Sequence, residues 1–367
     1  MTDFQTIKDS AALQRWCDET PPASTFALDT EFERQKTFFA ELCLLQLKQG
    51  ERIALIDPFA VDLVPVRELA ADSSHTWLVH AGRQDLEILF ELECRFSGQV
   101  LDTQVAAALC GYPEQIGYAD LVERLLTIAL AKTQTRTDWR RRPLSSEQLS
   151  YAADDVRYLP QVATLLQARL TELDRHQWFE QDCAAAQAVV TADSSPESAW
   201  ERVKGIGKLT DAAFGRAISL AAWREQEARA RNRPRGWILS DADLILCAQQ
   251  NPADKRELSD VLAHEAGVVK RRGTAVLDAL QSPPPAELPR RPAKPDPATR
   301  AASKQLAAYV REVATGLGLE SSVLMRRKDI ELAAQQQLPR QFIDNWRYQL
   351  LGQDIQRLIE QPDSNTD

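Results

Sequence analysis

The strongest constraint on the fold is an apolar, strand-forming run, Phe26–Leu28, that leads into two carboxylates, Asp29 and Glu31. Because side chains alternate along a strand, carboxylates two residues apart lie on the same face. Like charges at that separation repel each other unless a cation lies between them. Hard divalent cations such as Mg²⁺ and Mn²⁺ prefer oxygen ligands, so the pair predicts a metal site once other carboxylates join it. In isolation, one of the two would more simply face solvent on an edge strand.

Strand-like and helix-like segments alternate around this pair. Apolar runs predict strands at 25–30, 42–48, 52–57, 76–79 and 99–101. A hairpin turn at Gln49–Glu51 makes the first three strands antiparallel neighbours. Helical periodicity predicts helices at 9–18, 62–71, 83–92, 103–110 and 118–127. The pattern is typical of a mixed sheet with helices packed on it, and such sheets bind ligands beyond their strand ends. Ser10 is expected to cap the first helix, and Asp102 the helix that begins at Thr103.

A third acidic candidate is Asp85, which follows the segment His80–Gly82 by three residues. A predicted strand ends at His80, small residues make the turn, and a helix begins. Asp85 would therefore lie in the first turns of that helix, near the strand end. Alternatively, Asp85 only complements the helix dipole, and His80 is a hydrogen-bonded core or loop histidine.

A fourth acidic candidate lies on a later helix, whose start is marked by a capping box, Ser145 with Gln148. Tyr151 and Asp155 are four residues apart, so they share one face of that helix. A phenol hydroxyl beside a metal-binding carboxylate could hold a water for attack on phosphorus. The alternative is a core tyrosine beside a solvated aspartate, and the spacing also leaves Asp154 open.

Three short motifs, Asp29-x-Glu31, His80-Ala-Gly-x-x-Asp85 and Tyr151-x-x-x-Asp155, together resemble the exonuclease motifs of the DEDD superfamily, in its tyrosine-bearing branch. More narrowly, the chain resembles the ribonuclease D family over essentially its whole length. The resemblance implies a ribonuclease H-like α/β exonuclease domain. It also implies metal-dependent 3′→5′ trimming of tRNA precursors and other small structured RNAs, with release of 5′-mononucleotides.

The resemblance also implies a role for each residue of the site. Two Mg²⁺ or Mn²⁺ ions, roughly 3.5–4 Å apart in two-metal sites, would be bridged by Asp29. Glu31 and Asp155 would complete the first ion's ligands, and Asp85 would hold the second. Tyr151 would orient the attacking water, since an unperturbed phenol pKa near 10 makes orientation the simpler role than proton abstraction.

The remainder of the chain is predicted to be helical and interrupted by a proline-rich spacer. The segment Asp243–Gln250 aligns with Asp329–Gln336 at an offset of 86 residues, which indicates a diverged repeat. Both halves resemble HRDC domains, the helical modules that follow the nuclease in this family. The predicted exonuclease domain therefore spans 1–193, and the first HRDC-like domain spans 194–282. A linker at 283–297 leads to the second HRDC-like domain at 298–367.

Two basic segments are candidate RNA contacts. One is the loop before the third motif, where Lys132 and Arg136 would meet the backbone and Trp139 would stack; the alternative is a surface loop with a half-buried tryptophan. The other lies within 200–240, which holds nine basic and four acidic residues. Its candidate contacts, which could equally form a solvated face, are Arg229, Arg231, Arg233 and Arg235.

Composition limits the remaining classes. A net charge of −9 and a pI of about 5.2 argue against a protein that coats nucleic acid by bulk charge. Six cysteines without a C-x-x-C pair indicate reduced thiols. No leader-like start or membrane-length apolar run is present, so a cytoplasmic monomer without membrane contact is expected.

Two rival functions remain at this stage. One is a DNA-directed or general degradative 3′→5′ exonuclease, which contacts to the RNA 2′-hydroxyl would distinguish. The other is a catalytically silent RNA-binding scaffold. The intact carboxylate and tyrosine set argues against the scaffold, because losing a single carboxylate would have favoured it.

Overall fold

The computed structural model describes residues 3–131, 137–191, 195–283, 285, 287–289, 296–338 and 340–360. The chain forms two compact units. The first comprises the described residues within 1–33, 42–191 and 295–367, and the second those within 34–41 and 192–294. Each unit is therefore assembled from segments that are distant in sequence.

The first unit is built on a six-stranded mixed sheet in the order β1-β4-β3-β2-β5-β6. Strands β1 to β6 span Gln5–Ile7, Thr25–Glu33, Glu41–Gln49, Arg52–Ile56, Thr76–Val79 and Gln99–Asp102. β3 and β4 pair antiparallel with Gln49 opposite Arg52, which confirms the predicted hairpin. β1 pairs parallel with β4, and β5 pairs parallel with β2 and with β6. The sequence missed β1, because three residues are too few to show an alternating pattern.

Among the described residues before 192, the first unit contains eight helices. Helices α1 to α8 span Ser10–Asp18, Val64–Ala71, Arg83–Glu91, Thr103–Leu109, Tyr118–Leu126, Ser146–Arg157, Leu159–Glu172 and His176–Thr191. Asp9, not the predicted Ser10, caps α1, because its extended backbone lets the carboxylate accept from the Ala12 amide at 2.8 Å. The predicted caps at Asp102 and Ser145 are confirmed.

Helix α6 packs across the sheet through an apolar face. Ala152, Ala153 and Val156 are fully buried, in one cluster with side chains of β2 to β5. The opposite side of α6 is therefore left to carry polar side chains near the strand ends. The mixed sheet with flanking helices, followed by a helical region, confirms the predicted fold class.

The second unit is helical. Helices α9 to α13 span Asp211–Ala230, Arg235–Ile238, Asp241–Gln250, Lys255–Val261 and Ala266–Gln281, with short 3₁₀ turns at Pro196–Arg202, Ile206–Lys208 and Ala263–Glu265. Its core collects Phe214 of α9, Leu244 of α11 and Leu258 of α12, all fully buried. The segment 34–41, which connects β2 to β3, folds with this unit. There Phe38 is buried with Ala228 and Ile238.

The C-terminal helices belong to the first unit and share its core. Helices α14 to α18 span Pro297–Leu317, Ser321–Leu324, Arg327–Ala334, Arg340–Ile343 and Trp346–Glu360. The Trp346 ring stacks on Trp178 of α8, with centroids 4.1 Å apart. Arg347 pairs with Asp182 of α8, with an Nη2–Oδ2 distance of 2.8 Å. These helices therefore complete the hydrophobic core of the nuclease unit.

The 86-residue offset seen in the sequence recurs in the helices. α9, α10 and α11 begin at Asp211, Arg235 and Asp241, and α14, α15 and α16 begin at Pro297, Ser321 and Arg327. Three consecutive helix starts are thus displaced by the same number of residues. The repeat inferred from side-chain identities is therefore also a repeat of backbone structure.

All six cysteines lie within the described residues and carry free thiols. Across the residues that the structure describes, no helix combines the length and apolar character needed to cross a membrane.

Candidate active site

Four carboxylates and a tyrosine from separate elements line one cleft of about 230 Å³. Strand β2 supplies Asp29 and Glu31, α3 supplies Asp85, and α6 supplies Tyr151 and Asp155. One oxygen each of Asp29, Glu31 and Asp155 lies within 4.8 Å of the other two. The structure thus brings together all five residues that the motifs singled out.

The turn before α3 positions Asp85. Gly82 leaves no room for a side chain, because a Cβ there would lie 2.4 Å from the Cβ of Val79. The Asp102 carboxylate accepts hydrogen bonds from the amides of Ala81 and Gly82, at 2.9 and 3.0 Å. Helix α3 can therefore begin at once, with Asp85 in its first turn and hydrogen-bonded to the hydroxyl of Thr30.

Helix α6 positions Tyr151 and Asp155 one turn apart. The Tyr151 hydroxyl donates a hydrogen bond to the Asp155 carboxylate. The neighbouring Asp154 instead accepts from Arg157, at an Nε–Oδ1 distance of 2.7 Å, and is not part of the acidic cluster. Asp155, and not Asp154, therefore lies in the acidic cluster.

Burial and mutual repulsion oppose ionisation throughout the cluster. The pKa of Asp29 is raised well above its usual range by burial and by the charges of Asp85, Asp155 and Glu31. Burial first, then neighbouring carboxylates, raises the pKa of Glu31 to about 9 and that of Asp155 to about 8. Burial raises the pKa of Asp85 to about 6. A divalent cation would reverse each of these shifts, so this set of hard oxygen donors fits Mg²⁺ or Mn²⁺.

Tyr118, which the sequence reading did not single out, also lines the cleft. Its hydroxyl donates to the Asp154 carbonyl and accepts from the Tyr158 amide, each at 3.2 Å. Burial raises the pKa of this phenol, so it stays protonated and able to donate. Tyr118 thereby connects α5 to the end of α6. A local sequence pattern could not predict this contact, because the bonded residues are far apart in the sequence.

His80 lies at the rim of the cleft as a hydrogen-bonded loop histidine. Its ring nitrogens lie 2.9 Å from the Thr103 hydroxyl and from the Ile116 carbonyl. Burial lowers the pKa of His80, which favours the neutral ring. His80 thus braces the loop that leads to Tyr118.

The basic loop before α6 departs from its predicted role. Lys132 and Arg136 lie outside the described residues. Trp139 is only 3% exposed and packs into the core cluster under α6, so its ring is inaccessible to a base and the packing alternative holds. Arg142 anchors the loop, donating to Asp57 at 2.6 Å and to the Trp139 carbonyl at 2.7 Å.

The four arginines of the second unit divide into two pairs. Glu225, whose side chain is 1% exposed, binds Arg235 at 2.7 Å and lies 3.6 Å from Arg229. Both guanidinium groups also lie over the Phe38 ring, at 5.4 Å for Arg229 and 4.5 Å for Arg235. The structure therefore gives these two a structural role in place of the predicted RNA contact. Arg231 and Arg233 are exposed.

Comparison with known proteins adds independent findings. Residues 4–171 match the family model described as a 3′-5′ exonuclease, and residues 214–280 match the HRDC domain. The chain is 33% identical to ribonuclease D of Pseudomonas paraeruginosa over 98% of each chain. It is 35% identical to ribonuclease D of Sphingobium indicum over 96% of this chain and 94% of that protein.

Two solved structures are similar to this chain in fold. The fold is similar to that of Escherichia coli RNase D, described as an exoribonuclease involved in structured RNA processing, with a TM-score of 0.88 and 28% identity. That likeness covers 97% of this chain and 98% of the other. The catalytic core of RRP6 from Trypanosoma brucei, at 18% identity and a TM-score of 0.56, shares the fold.

Proposed function

The chain belongs to the ribonuclease D family of 3′→5′ exoribonucleases, and on that premise we propose that it trims the 3′ ends of structured RNAs, tRNA precursors among them. The products would be 5′-mononucleotides. The observation that carries the proposal is the convergence of Asp29, Glu31, Asp85, Asp155 and Tyr151 in one cleft. The description of the Escherichia coli relative supports structured RNA as the substrate class.

We propose that the cleft holds two divalent cations, Mg²⁺ or Mn²⁺, with Asp29 shared between them. Glu31 and Asp155 would complete the ligands of one ion, and Asp85 would hold the other. When bound, such ions polarise the scissile phosphate and lower the pKa of the attacking water. The chain's own contribution is to keep oxygens of Asp29, Glu31 and Asp155 within 4.8 Å of each other despite their repulsion.

Tyr151 is the group in the proposal that orients the attacking water. Its hydroxyl lines the cleft and donates to Asp155. A lone pair of the phenol oxygen therefore remains to accept a hydrogen bond from a water beside that carboxylate. A water held in this way would be positioned for attack on phosphorus without requiring the phenol to lose its proton.

The proposed organisation keeps the four segments of the sequence reading: an exonuclease domain at 1–193, HRDC-like domains at 194–282 and 298–367, and a linker at 283–297. In this proposal the nuclease domain holds the RNA 3′ end, and the helical domains hold the body of the RNA. The free cysteines support a reducing, cytoplasmic setting, and a monomer is the simplest active form.

The decisive experiment measures mononucleotide release from a 3′-extended tRNA and from DNA of the same sequence, with Mg²⁺, Mn²⁺ or EDTA. Asp29→Asn and Asp155→Asn would be compared with wild type, and Asp154→Asn serves as the matched control because Asp154 pairs with Arg157 outside the cluster. We expect stepwise, metal-dependent trimming of RNA. The two cluster variants should lose at least roughly 100-fold in rate, the scale of one lost transition-state contact, while the control stays active.

Two other outcomes would replace the proposal. Equal or faster trimming of DNA would make the enzyme a DNA-directed or general degradative exonuclease. Retained tRNA binding with no release under either metal would make the chain an RNA-binding scaffold.

A further inference from the structure

An exposed tryptophan marks one end of the second unit. Trp237, in the short helix α10, is 54% exposed, although large aromatic side chains are usually well covered. The guanidinium carbon of Arg233 lies 5.9 Å from the centroid of its ring. The buried side chains at this position are those of Phe38 and Ile238. Trp237 is not one of them. The ring of Trp237 is therefore presented to solvent with a cation over it.

A second group of arginines lies around Glu227 and contains Arg231, Arg271 and Arg272. Arg231 precedes Arg233 by two residues and pairs with Glu227, and the same Glu227 oxygen lies 3.7 Å from Nε of Arg272. One carboxylate thus faces two guanidinium groups. Arg271, also exposed, has no ion pair within the part of the chain that the structure describes.

Arg272 is a largely buried cation that faces Glu227 but is incompletely hydrogen-bonded. Its Nε and Nη1 groups are buried and donate no hydrogen bond to any of the described residues. Burial, together with the charges of Arg271 and Arg231, lowers the pKa of Arg272. An anion bound by the exposed Arg231 and Arg271 would offset this repulsion, and guanidinium groups match phosphate oxygens in geometry.

We propose that Trp237 is a stacking platform for an unpaired base of the RNA substrate, and that the exposed Arg231, Arg233 and Arg271 hold phosphates of the same strand. Every base offers a flat π-face to the ring, and the arginines contact the backbone, so this surface would grip RNA without reading its sequence. The inference rests on the proposed function, since it names how the helical unit holds the substrate.

The charge distribution favours RNA as the occupant. Residues 200–240 hold nine basic and four acidic residues in a chain of net charge −9. The Trp237 ring, with Arg233 over it and Arg231 nearby in the sequence, offers a flat face for a base and cations for phosphates. The two inward-facing arginines, Arg229 and Arg235, take no part, because Glu225 already binds them.

The test uses the full chain and two substrates. The first is a fluorescently labelled structured RNA with a single-stranded 3′ extension, whose binding is followed by anisotropy in EDTA. The second is an RNA dinucleotide, whose hydrolysis with Mg²⁺ reports the cleft alone, because Trp237 does not line the cleft. Dinucleotide hydrolysis thus tests the proposed function, and binding of the long RNA tests the platform.

Trp237→Ala should weaken binding of the structured RNA by about 5- to 100-fold, the usual range for losing one base–aromatic stack, and leave dinucleotide hydrolysis unchanged. Trp237→Phe should restore most of the affinity. Arg231→Gln should reduce the slope of log affinity against log salt by about 1. Both positions are exposed, and a thermal melt by circular dichroism checks that each variant folds.

Two matched controls lie in the first unit. Phe59 is 49% exposed and also has an arginine over its ring, Arg142 at 4.8 Å. Arg327 is 93% exposed. Phe59→Ala and Arg327→Gln should leave RNA affinity and salt slope unchanged. Wild-type affinity in Trp237→Ala, or an equal loss in Phe59→Ala, would overturn the inference. Absence of dinucleotide hydrolysis in wild type would instead overturn the proposed function and leave the platform standing if binding still depends on Trp237.

Discussion

At the scale of single residues, the cleft gathers negative charge at the expense of stability. Asp29, Glu31, Asp85 and Asp155 are held where burial and each other's charges oppose ionisation. The described residues that line the cleft include no lysine or arginine that would neutralise these carboxylates. The fold therefore stores repulsion that a bound cation relieves.

The first prediction is that removing one of these charges stabilises the metal-free protein while it abolishes activity. Asp155→Asn should raise the free energy of unfolding by about 1 kcal/mol or more, since one pKa unit corresponds to about 1.4 kcal/mol. Differential scanning calorimetry in EDTA measures this change. Asp260→Asn, at an exposed position of α12, should not stabilise the protein. A lower melting temperature for Asp155→Asn would contradict the repulsion.

The second prediction concerns pH. The folded pKa values of Glu31 and Asp155, about 9 and about 8, lie above those of an unfolded chain, so the native state binds more protons between about pH 4 and 9. The free energy of unfolding of the metal-free protein should therefore fall as pH rises through this window. Mg²⁺ should raise the melting temperature more at pH 8.5 than at pH 6. Calorimetric titration in buffers of different ionisation enthalpy should also detect the release of protons when Mg²⁺ binds. A gain in melting temperature from Mg²⁺ that does not depend on pH would refute the mechanism.

The residues that the sequence predicted well are those carried by short, contiguous motifs. The resemblance of the three motifs to DEDD exonucleases predicted one site for Asp29, Glu31, Asp85 and Asp155, whereas strand and helix periods predicted only which side chains share a face. Tyr118 was missed and Trp139 was expected at the surface, since their environments depend on packing between α5, α6 and the sheet. Local pattern determines direction, and tertiary contact determines exposure.

At the scale of secondary-structure elements, the junction between β5 and α3 sets the geometry of the site. Ala81 adopts a left-handed conformation at a φ of 55°, and Gly82 lies against Val79. Asp102, at the end of β6, caps α4 and also binds the amides of this turn. The turn, the start of α3 and the start of α4 are thus held by one carboxylate.

The third prediction is that Gly82→Ala damages both stability and activity. The new methyl group would lie 2.4 Å from Val79, so α3 must shift and carry Asp85 with it. Overpacking of this kind costs about 1–3 kcal/mol. Urea denaturation measures the loss, and mononucleotide release should fall in parallel. Gly236→Ala, where a Cβ meets open space, is the control and should match wild type in both assays.

Element positions were predicted well where periodicity was long, and less well at short or irregular elements. The β3–β4 hairpin and the capping box of α6 agree with the sequence, because turn and cap residues specify them locally. β1 was missed, and the cap of α1 moved from Ser10 to Asp9, since both depend on backbone angles that composition does not reveal. The 86-residue repeat was visible at both levels.

At the scale of the whole molecule, two copies of one helical pattern serve different structural ends. The copy at α9–α13 has its own core, whereas the copy at α14–α18 buries its apolar side chains with those of α4, α5, α7 and α8. Leu306, Val310 and Leu351 are fully buried in that shared core. The second copy is therefore part of the nuclease unit's stability.

The fourth prediction is that removing residues 297–367 destabilises the nuclease unit. The truncation would expose Trp178 and leave Asp182 without Arg347. Loss of even about 3 kcal/mol should lower the melting temperature by roughly 6–12 °C. Trp346→Ala should act in the same direction with smaller size, and Ile343→Ala, at an exposed position, should have no effect. Scanning calorimetry and dye binding to exposed apolar surface measure the outcome; an unchanged transition would show that the two parts fold independently.

The short passage 34–41 has a consequence for how this architecture can change over time. Asn232 accepts hydrogen bonds from the backbone amides of both Phe38 and Phe39, at 3.0 Å each, so the connection between β2 and β3 is a structural part of the second unit. Only two residues separate that passage from Glu31 in the sequence. Recombination therefore could not delete or exchange the second unit without also changing the connection between β2 and β3. A replacement domain would need its own binding site for Phe38 and Phe39. Otherwise the connection between β2 and β3 would have to change with it.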